Sequence, residues 1–393
     1  MSLIILHLSI WLNFAFLASL KPLSRFNSMI KSFLITLSLI PLIAFSQVQV
    51  APMNSTGLEK IMLPKGFKIE VYASGVVNAR EMDFAEDGTL FAGSTDAGKV
   101  YAIRPDRSVI VIDDSLEMPA GLDYYNGDLY VSEISRILKY ENILQTADSS
   151  PIPLVLNSNF PSDTLHGWKF IRVGPDGKLY IPVGAPCNAC IPENKWYSRI
   201  LMMSLDGKSL EYYAEGVRNV GGFDWDASSG VLWFTDRGRE DMGEDFPPDE
   251  LNSAPVDGGH FGFPYINGKV LDPEFWPKRP QNRVFTTPAL ALPAHIGVSG
   301  MRFYTGGMFD KKYKGGIFIA EQGSLNRSEN AGYRISYITF FDDRAIGYEV
   351  FAAGWQEGDT AWGRPADVQV GPDGSLFVSD DLAGCIYRIY VQR

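Results

Sequence analysis

Cysteine and histidine are both scarce in this sequence, which holds three cysteines and four histidines among 393 residues. A four-thiolate zinc site needs two C-x-x-C pairs, and the chain has one, Cys187 and Cys190. Ile191 follows that pair, where a haem-attachment motif requires histidine. The sequence also lacks the G-x-G-x-x-G, Walker, G-x-S-x-G and H-E-x-x-H motifs. Nicotinamide, ATP and serine-hydrolase functions therefore have no support.

Charged residues are also few, at 21%, and acidic residues outnumber basic ones to give a net charge of −11. This balance disfavours nucleic acid or an anionic membrane surface as a partner, so a small molecule is the better expectation. Apolar residues reach 46% and aromatics 13%, enough for a large core, which excludes intrinsic disorder. Because 38 glycines and 24 prolines accompany the aromatics, the composition favours short strands joined by turns.

Residues 1–46 contain no Asp or Glu and predict a targeting segment. Lys31 precedes an apolar run at 33–45, and cleavage after Ser46 fits a secretory signal with a linker at 47–60. The upstream run at 3–20 has two explanations: a start placed too early, with Met29 as the true one, or a membrane anchor. We expect a periplasmic or secreted protein, with a membrane as partner only if that anchor is retained.

The cysteines agree with an oxidising compartment. A local disulfide between Cys187 and Cys190 is the plain interpretation there, with a redox-active pair as the weaker alternative. Cys385 lies in an apolar stretch and is predicted to be a buried thiol.

One pattern occurs six times along the chain. Each copy has an apolar stretch, a turn that usually contains Asp-Gly, and then a Leu or Ile that opens a strand ending in small polar residues. The copies lie at 82–93, 122–132, 171–181, 223–235, 301–320 and 368–379. Asp-Gly between apolar runs indicates a hairpin, and about 40–50 residues per four-stranded sheet is typical of a propeller.

The sequence therefore predicts an all-β six-bladed β-propeller over 61–393, with four-stranded antiparallel blades. The strand at 67–72 has no repeat of its own, and we expect it to close the ring as the outer strand of the last blade. A β-sandwich, or two separate β-domains, is the alternative.

Propellers place function on loops around the central channel, so the candidate residues are sought there. His166 precedes a repeat strand and suits a general base, although a structural histidine is the ordinary alternative. Arg218 and Asn219 lie between glycines, where a guanidinium can bind a carboxylate; a surface salt bridge is the alternative. The acidic stretch at 240–250 offers oxygen ligands for Ca²⁺ or is a solvated loop. Arg364 precedes the sixth copy.

From about residue 58 onward, the chain resembles the glucose/sorbosone dehydrogenase family. The resemblance rests on His166, the stretches 174–180, 213–219, 249–252 and 259–264, and on the segments 294–295, 302–306, 320–324 and 363–368. Each motif is modest, and their shared order is specific.

The resemblance implies a propeller that oxidises an aldose or sorbosone-like sugar with pyrroloquinoline quinone (PQQ) and Ca²⁺, passing electrons to an unknown acceptor. It implies that His166 takes the sugar hydroxyl proton as hydride moves to the quinone. It also implies that Arg218 acts in catalysis as well as in cofactor binding. The other residues that it implies are the PQQ contacts Asn219, Asn326, Arg327 and Arg364, and the Ca²⁺-binding carbonyls of Gly238 and Arg239.

The chain also departs from the family pattern. Gln322 stands where the family tends to have histidine, Leu325 stands where it has tryptophan, and Arg80-Glu81 replaces a Gln-Gly cofactor contact. Two other functions therefore stay open. A metal-dependent lactonase would use the acidic loop at 240–250, and a secreted non-catalytic binding propeller would leave the rim residues scattered.

Overall fold

Six sheets built from antiparallel strands, one for each repeat copy, form the fold of this protein. The computed structural model describes residues 57–254, 259–324, 327–342 and 344–392. The predicted targeting segment at 1–46 lies outside these residues. The six-bladed all-β prediction is confirmed, since each sheet is a blade whose innermost strand opens the corresponding repeat copy.

Each blade is built outward from the channel. From inside to outside, blade 1 has Ala79–Phe84, Leu90–Ser94, Val100–Ile103 and Val109–Asp113; blade 2 has Leu122–Tyr125, Asp128–Ser132, Ile137–Tyr140 and Leu154–Asn157; blade 3 has Arg172–Val173, Leu179–Val183, Arg199–Met203, Leu210–Glu215 and Gly259–His260. Blade 4 has Val220–Trp225, Leu232–Asp236, Pro248–Ala254 and Leu290–Ala294; blade 5 has Val298–Phe303, Ile317–Glu321, Arg334–Phe341 and Arg344–Ala353; blade 6 has Pro365–Val370, Leu376–Asp380, Cys385–Val391 and Phe67–Ser74.

The ring closes as the sequence predicts. Phe67–Ser74 pairs antiparallel with Cys385–Val391, so the first strand of the propeller completes its last blade. Blade 3 differs from the prediction, because a fifth strand, Gly259–His260, adds in parallel to Leu210–Glu215. That strand belongs to the long insertion between the third and fourth strands of blade 4, which therefore reaches back across blade 3.

The remaining elements of the described residues are short. An α-helix spans Ile143–Thr146, and 3₁₀ turns cover Leu58–Lys60, Ala147–Ser149, Trp276–Lys278 and Lys311–Tyr313. Small hairpins join Ile266–Asn267 to Val270–Leu271 and Gln356–Glu357 to Thr360–Ala361. Within the described part of the chain, no helix is both long enough and apolar enough to cross a membrane.

Each inner strand carries a polar residue at the second position of its repeat copy. We call this set the channel belt; its members are Asp83, Asp123, Arg172, Asp224, Arg302 and Gln369. The three aspartates clamp neighbouring blades together, because each accepts a hydrogen bond from a backbone N–H of a following inner strand. These bonds join Asp83 to Tyr124 (3.0 Å), Asp123 to Val173 (2.9 Å) and Asp224 to Phe303 (3.0 Å).

Side chains complete the channel belt where backbone bonds do not. Arg172 Nη1 lies 3.1 Å from Asp224 Oδ1, and Arg302 Nε donates to Gln369 Oε1 at 3.0 Å. Gln369 Nε2 then donates to Asp83 Oδ1 at 2.6 Å, which joins the last blade to the first. The belt therefore satisfies buried polar groups while fixing blade-to-blade register around the ring.

Candidate functional site at the channel mouth

His166 lies just before blade 3, in a loop that approaches the channel. Its backbone adopts the left-handed conformation (φ 52), and its Nδ1 lies 2.8 Å from the carbonyl of Ala185. A carbonyl accepts only, so Nδ1 carries the proton and Nε2 keeps its lone pair. Gly184 permits this position, because a Cβ there would stand 2.6 Å from His166 Cβ. The result is an imidazole held with Nε2 as a proton acceptor.

Burial and two arginines keep this imidazole neutral. Desolvation lowers the pKa of His166 to about 4, and the positive charges of Arg218 and Arg237 act in the same direction. At neutral pH the ring is therefore unprotonated at Nε2, the form that a general base requires.

Arg218 lies beside His166 at the entrance to blade 4. The Arg218 carbonyl accepts from Ala185 N at 2.8 Å, so Ala185 connects the two residues. Asp236 fixes the local backbone by accepting from Arg218 N (2.8 Å) and Asn219 N (2.6 Å). Burial raises the pKa of Asp236 to about 6. Arg218 and Asn219 are themselves 4% and 5% exposed, which rules out a surface salt bridge for Arg218.

The disulfide loop holds the guanidinium of Arg218. Cys187 and Cys190 are joined by a disulfide, as predicted, and Asn188 lies between them. Arg218 Nε donates to the Asn188 carbonyl at 2.9 Å and its Nη2 donates to Asn188 Oδ1 at 2.7 Å. The C-x-x-C pair thus shapes a loop whose side chain orients the predicted cofactor-binding arginine. Cys385 is free and buried, also as predicted.

Arg364 lies at the channel mouth at the entrance to blade 6, and a buried aspartate fixes its backbone as it does for Arg218. Asp380 Oδ1 accepts from Arg364 N at 2.8 Å, as Asp236 does for Arg218. The Arg364 side chain then pairs with buried Asp381, with 2.5 Å between Nε and Oδ1. Both arginines therefore stand at blade entrances fixed by a buried aspartate at the end of the second strand.

A chain of polar contacts joins the Arg364 side of the mouth to the Arg218 side. Asp381 Oδ2 accepts from Gln322 Nε2 at 2.6 Å, and Gln322 Oε1 accepts from Arg237 Nη2 at 2.8 Å. The Arg237 carbonyl lies 3.4 Å from Arg218 Nη1. His166, Arg218 and Arg364 thus face one opening of the ring. The departure at Gln322 is now explained in part, because its amide connects an arginine to a carboxylate.

Arg80 adds a further guanidinium, and only part of its hydrogen-bonding capacity is satisfied. Its Nη2 pairs with Asp381 at 3.1 Å, whereas its Nε and Nη1 are buried without a hydrogen-bond partner. Arg80 and Arg237 both lie close to the ring of Trp168, at 5.4 and 5.7 Å from its centroid. Burial and the neighbouring Arg80 lower the pKa of Arg237 to about 10, so it stays charged. The mouth therefore brings several guanidinium groups next to a flat aromatic ring.

Sequence reasoning missed Arg237, Asp381, Asn188 and Trp168 as site residues. A signal for the first two was present in the repeats. Arg237, Gln322 and Asp381 each stand five positions after the apolar residue that opens the second strand in copies four, five and six. Equivalent positions in neighbouring blades meet at the same height of the channel, as their mutual hydrogen bonds show. Asn188 and Trp168 lie in loops and carry no such signal.

The predicted calcium loop is next to the mouth. Gly238 N donates to Asp249 Oδ1 at 2.9 Å, whereas the Arg239 side chain turns away to Asp241 (2.6 Å) and Asp272 (2.7 Å). Among the described residues, no group of three or more His, Cys, Asp or Glu side chains could hold a metal ion. Ca²⁺ binding through the Gly238 and Arg239 carbonyls stays a prediction, and the lactonase alternative stays open.

Arg327, one of the sequence-predicted cofactor contacts, makes its described contacts with the acidic loop. Arg327 Nη2 lies 3.2 Å from Asp245 Oδ1, and its Nη1 also contacts the Glu244 carbonyl, so it ties down the acidic loop. Asn326 lies outside the described residues. The residues that converge are therefore His166, Arg218 and Arg364, with Asn219 behind Arg218.

Fold and mouth together define a class: six-bladed propellers with a neutral histidine and several arginines at one end of the channel. Residues 202–388 match the family Glucose / Sorbosone dehydrogenase. An uncharacterized protein from Borreliella burgdorferi is 32% identical over 384 residues, covering 93% of this chain and 99% of that protein. The chain belongs to the glucose/sorbosone dehydrogenase family, whose members are sugar-dehydrogenase-like oxidoreductases.

Solved structures agree on the fold. The holo form of the pyranose dehydrogenase PQQ domain from Coprinopsis cinerea matches with a TM-score of 0.69 at 15% identity, over 84% of this chain and 97% of that one. A calcium structure of a Trichoderma reesei family AA12 enzyme matches with a TM-score of 0.70 at 18% identity, over 84% of this chain and 97% of that one. The PQQ-bound aldose sugar dehydrogenase from Streptomyces coelicolor matches with a TM-score of 0.60 at 18% identity, over 84% of this chain and 100% of that one.

Proposed function

We propose that this protein oxidises a small sugar with PQQ as its bound electron acceptor and Ca²⁺ beside it. The observation that carries the proposal is the neutral His166 among Arg80, Arg218 and Arg237 at one channel mouth. When bound, PQQ supplies the acceptor for the hydride that leaves the sugar carbon. A periplasmic or secreted location, and an electron acceptor of unknown identity, belong to the same proposal.

The residues at the mouth suit a planar polycarboxylate. The buried Nε and Nη1 of Arg80 have no hydrogen-bond partner, and unsatisfied buried donors are costly, so an anionic group that accepts from them is favourable. Asp381 is shared between Arg80 and Arg364, so one carboxylate serves two guanidiniums. Arg80 thus takes the place of the Gln-Gly contact that the family pattern leads one to expect.

Within this proposal His166 holds and moves one proton. Its Nε2 accepts the proton of the sugar hydroxyl, while Nδ1–H stays on the Ala185 carbonyl and keeps the ring oriented. Arg218, fixed by Asn188, places its charge beside the ring and favours the neutral form of His166 before the proton arrives. That charge also stabilises oxygen anions that develop at the mouth.

Reconstitution tests the proposed function directly. The purified chain is incubated with PQQ and Ca²⁺, and dye reduction is followed with a panel of aldoses. We expect saturable reduction that requires the quinone. Failure to bind PQQ at micromolar concentration would contradict the proposal, and dye reduction with no added quinone would assign the oxidation to another cofactor.

Arg80→Gln is expected to weaken PQQ binding by about 10- to 150-fold, because a charged hydrogen bond contributes about 1.5–3 kcal/mol. The readout is the binding isotherm, which does not depend on turnover. Arg104→Gln is the matched control, since Arg104 pairs with exposed Asp148 at 3.1 Å on the outside of the ring. Equal PQQ affinity in wild type and Arg80→Gln would remove Arg80 from the cofactor site.

The protonation state of His166 is testable without cofactor. Because its folded pKa of about 4 lies below the usual value of 6.5, the ring should stay neutral at pH 5.5 with its proton on Nδ1. Two-dimensional ¹H–¹⁵N NMR of the imidazoles distinguishes the two tautomers, and His166→Asn assigns the signal. An ordinary titration of His166 between pH 6 and 7 would contradict the expected burial.

A further inference from the structure

A second pocket, of about 240 Å³, lies at the outer edge of blade 3. It is formed where the added strand Gly259–His260 and its insertion pack against the ends of the outer strands. Ile191 and Pro192 of the disulfide loop form one wall. None of the residues proposed above to bind PQQ or sugar lines this space, so we treat it as a separate site, the blade 3 pocket.

The blade 3 pocket contains polar atoms that the protein does not satisfy. Ser198 is 7% exposed, adopts the left-handed conformation (φ 57), and its Oγ has no hydrogen-bond partner. Arg199 Nε is likewise buried without a partner. Two adjacent residues of the pocket lining therefore carry buried polar atoms without a partner, which is uncommon in folded proteins.

The charges of the pocket do not cancel. Arg199 Nη2 lies 3.6 Å from Glu215 Oε2, and Arg283 Nη2 lies 3.3 Å from Glu215 Oε1. Two guanidiniums therefore share one carboxylate. The surplus of one positive charge favours a monoanion, and a guanidinium is best matched by a carboxylate or phosphate.

The rest of the lining offers an N–H that can donate to a sugar hydroxyl, and an apolar face. Gly262 N–H donates to His260 Nδ1 at 3.2 Å, so the neutral His260 ring carries its proton on Nε2. Burial and Arg283 keep this ring neutral by lowering the pKa of His260 to about 4. Phe263 and Tyr265 are buried in the same lining and supply aromatic surface, on which the C–H face of a sugar ring packs well.

We propose that the blade 3 pocket binds a sugar carboxylate. The carboxylate fits Arg199 and Arg283, the hydroxyls fit Ser198 and His260, and the ring or chain carbons fit the aromatic side chains. The volume is below the usual range for drug-sized ligands, so the ligand is of monosaccharide size. Two sources share this chemistry: an aldonate that results from aldose oxidation, and a uronate unit of an acidic saccharide.

Calorimetric titration of the full chain without PQQ tests this site apart from the proposed oxidation. The probes are D-glucuronate, D-gluconate and neutral D-glucose. We expect at least one acid to bind about tenfold or more tightly than glucose, because the charged contact is absent from glucose. Preference for gluconate favours the aldonate source, and preference for glucuronate favours the uronate source. Equal binding of all three sugars, or none, overturns the proposal.

Two variants make the charge argument specific. Arg283→Gln should weaken binding of the preferred acid about tenfold, whereas Glu215→Gln should strengthen it, because removing the shared carboxylate frees both guanidiniums. Arg107→Gln is the matched control, since Arg107 forms a similar pair with Glu70 at 2.9 Å elsewhere on the ring. Weaker binding in Glu215→Gln, with circular dichroism unchanged, would contradict the proposed role of the surplus charge.

Discussion

Replacing His166 with asparagine is expected to lower turnover of the PQQ-loaded protein by about 10²–10⁴-fold, the usual contribution of a general base. Asparagine is chosen because it tolerates the left-handed backbone of this position, and its amide can donate to the Ala185 carbonyl in place of Nδ1–H. The variant therefore keeps the local structure and removes the proton acceptor. The measurement is single-turnover reduction of the quinone with saturating sugar.

His295→Asn is the control for this experiment. His295 has the same left-handed conformation (φ 56), and its Nε2 contacts the Gly243 carbonyl at 2.8 Å, so it has an occupied structural role. We expect its turnover to stay within about threefold of wild type, because its ring contacts the backbone carbonyls of Gly243 and Phe246 and takes no part in the proposed proton transfer. PQQ affinity should be unchanged in His166→Asn. Turnover equal to wild type would exclude His166 as the base, and lost PQQ binding would make it a cofactor contact.

The second large effect concerns the channel belt. Arg302 is 2% exposed, and its guanidinium lies 3.7 Å from Glu81 and 4.0 Å from Asp367, both buried carboxylates. Arg302→Met removes the positive charge that faces Glu81 and Asp367, and methionine nearly keeps the length of the side chain. Breaking a buried ion pair costs about 3–5 kcal/mol, so the free energy of unfolding should fall by that amount.

The pH dependence of that loss has a definite sign. Burial raises the pKa of Glu81, and raises that of Asp367 to about 6, and Arg302 opposes both shifts. In Arg302→Met the pKa values of Glu81 and Asp367 rise further in the folded state. The folded variant therefore keeps protons on these carboxyls at pH values where the unfolded chain has already lost them. Stability then falls as pH rises, and the deficit measured by urea unfolding should be larger at pH 8 than at pH 5.

Arg104→Met provides the comparison, because its salt bridge with exposed Asp148 lies at the surface. A surface pair contributes about 0–1 kcal/mol, and its loss should leave the urea midpoint nearly unchanged. If Arg302→Met were no more harmful than Arg104→Met, the belt would not hold the blades together as described.

The candidate site was predictable only for residues that stand in a recognisable local sequence motif. His166, Arg218 and Arg364 were singled out by their positions beside the repeat strands, and the family resemblance assigned their roles. Contacts through Ala185, Arg237, Gln322 and Asp381 connect them in the structure. Those connecting residues were not predicted, because their roles depend on which blades become neighbours. Arg327 was predicted beside the cofactor; its guanidinium pairs with Asp245 of the acidic loop, and its contact with PQQ stays a prediction.

The sequence alone determined the six blades, because the repeat period and the Asp-Gly turns are local properties; Gly374, for example, has the positive φ (82) that its hairpin needs. It also determined the closing strand, since an unpaired sheet edge must find a partner. Tertiary structure alone decided the chemistry of the mouth and of the blade 3 pocket. Both arise where loops from distant parts of the chain meet, and the burial and charge that set pKa values and leave Arg80 or Ser198 unsatisfied exist only after those loops have packed.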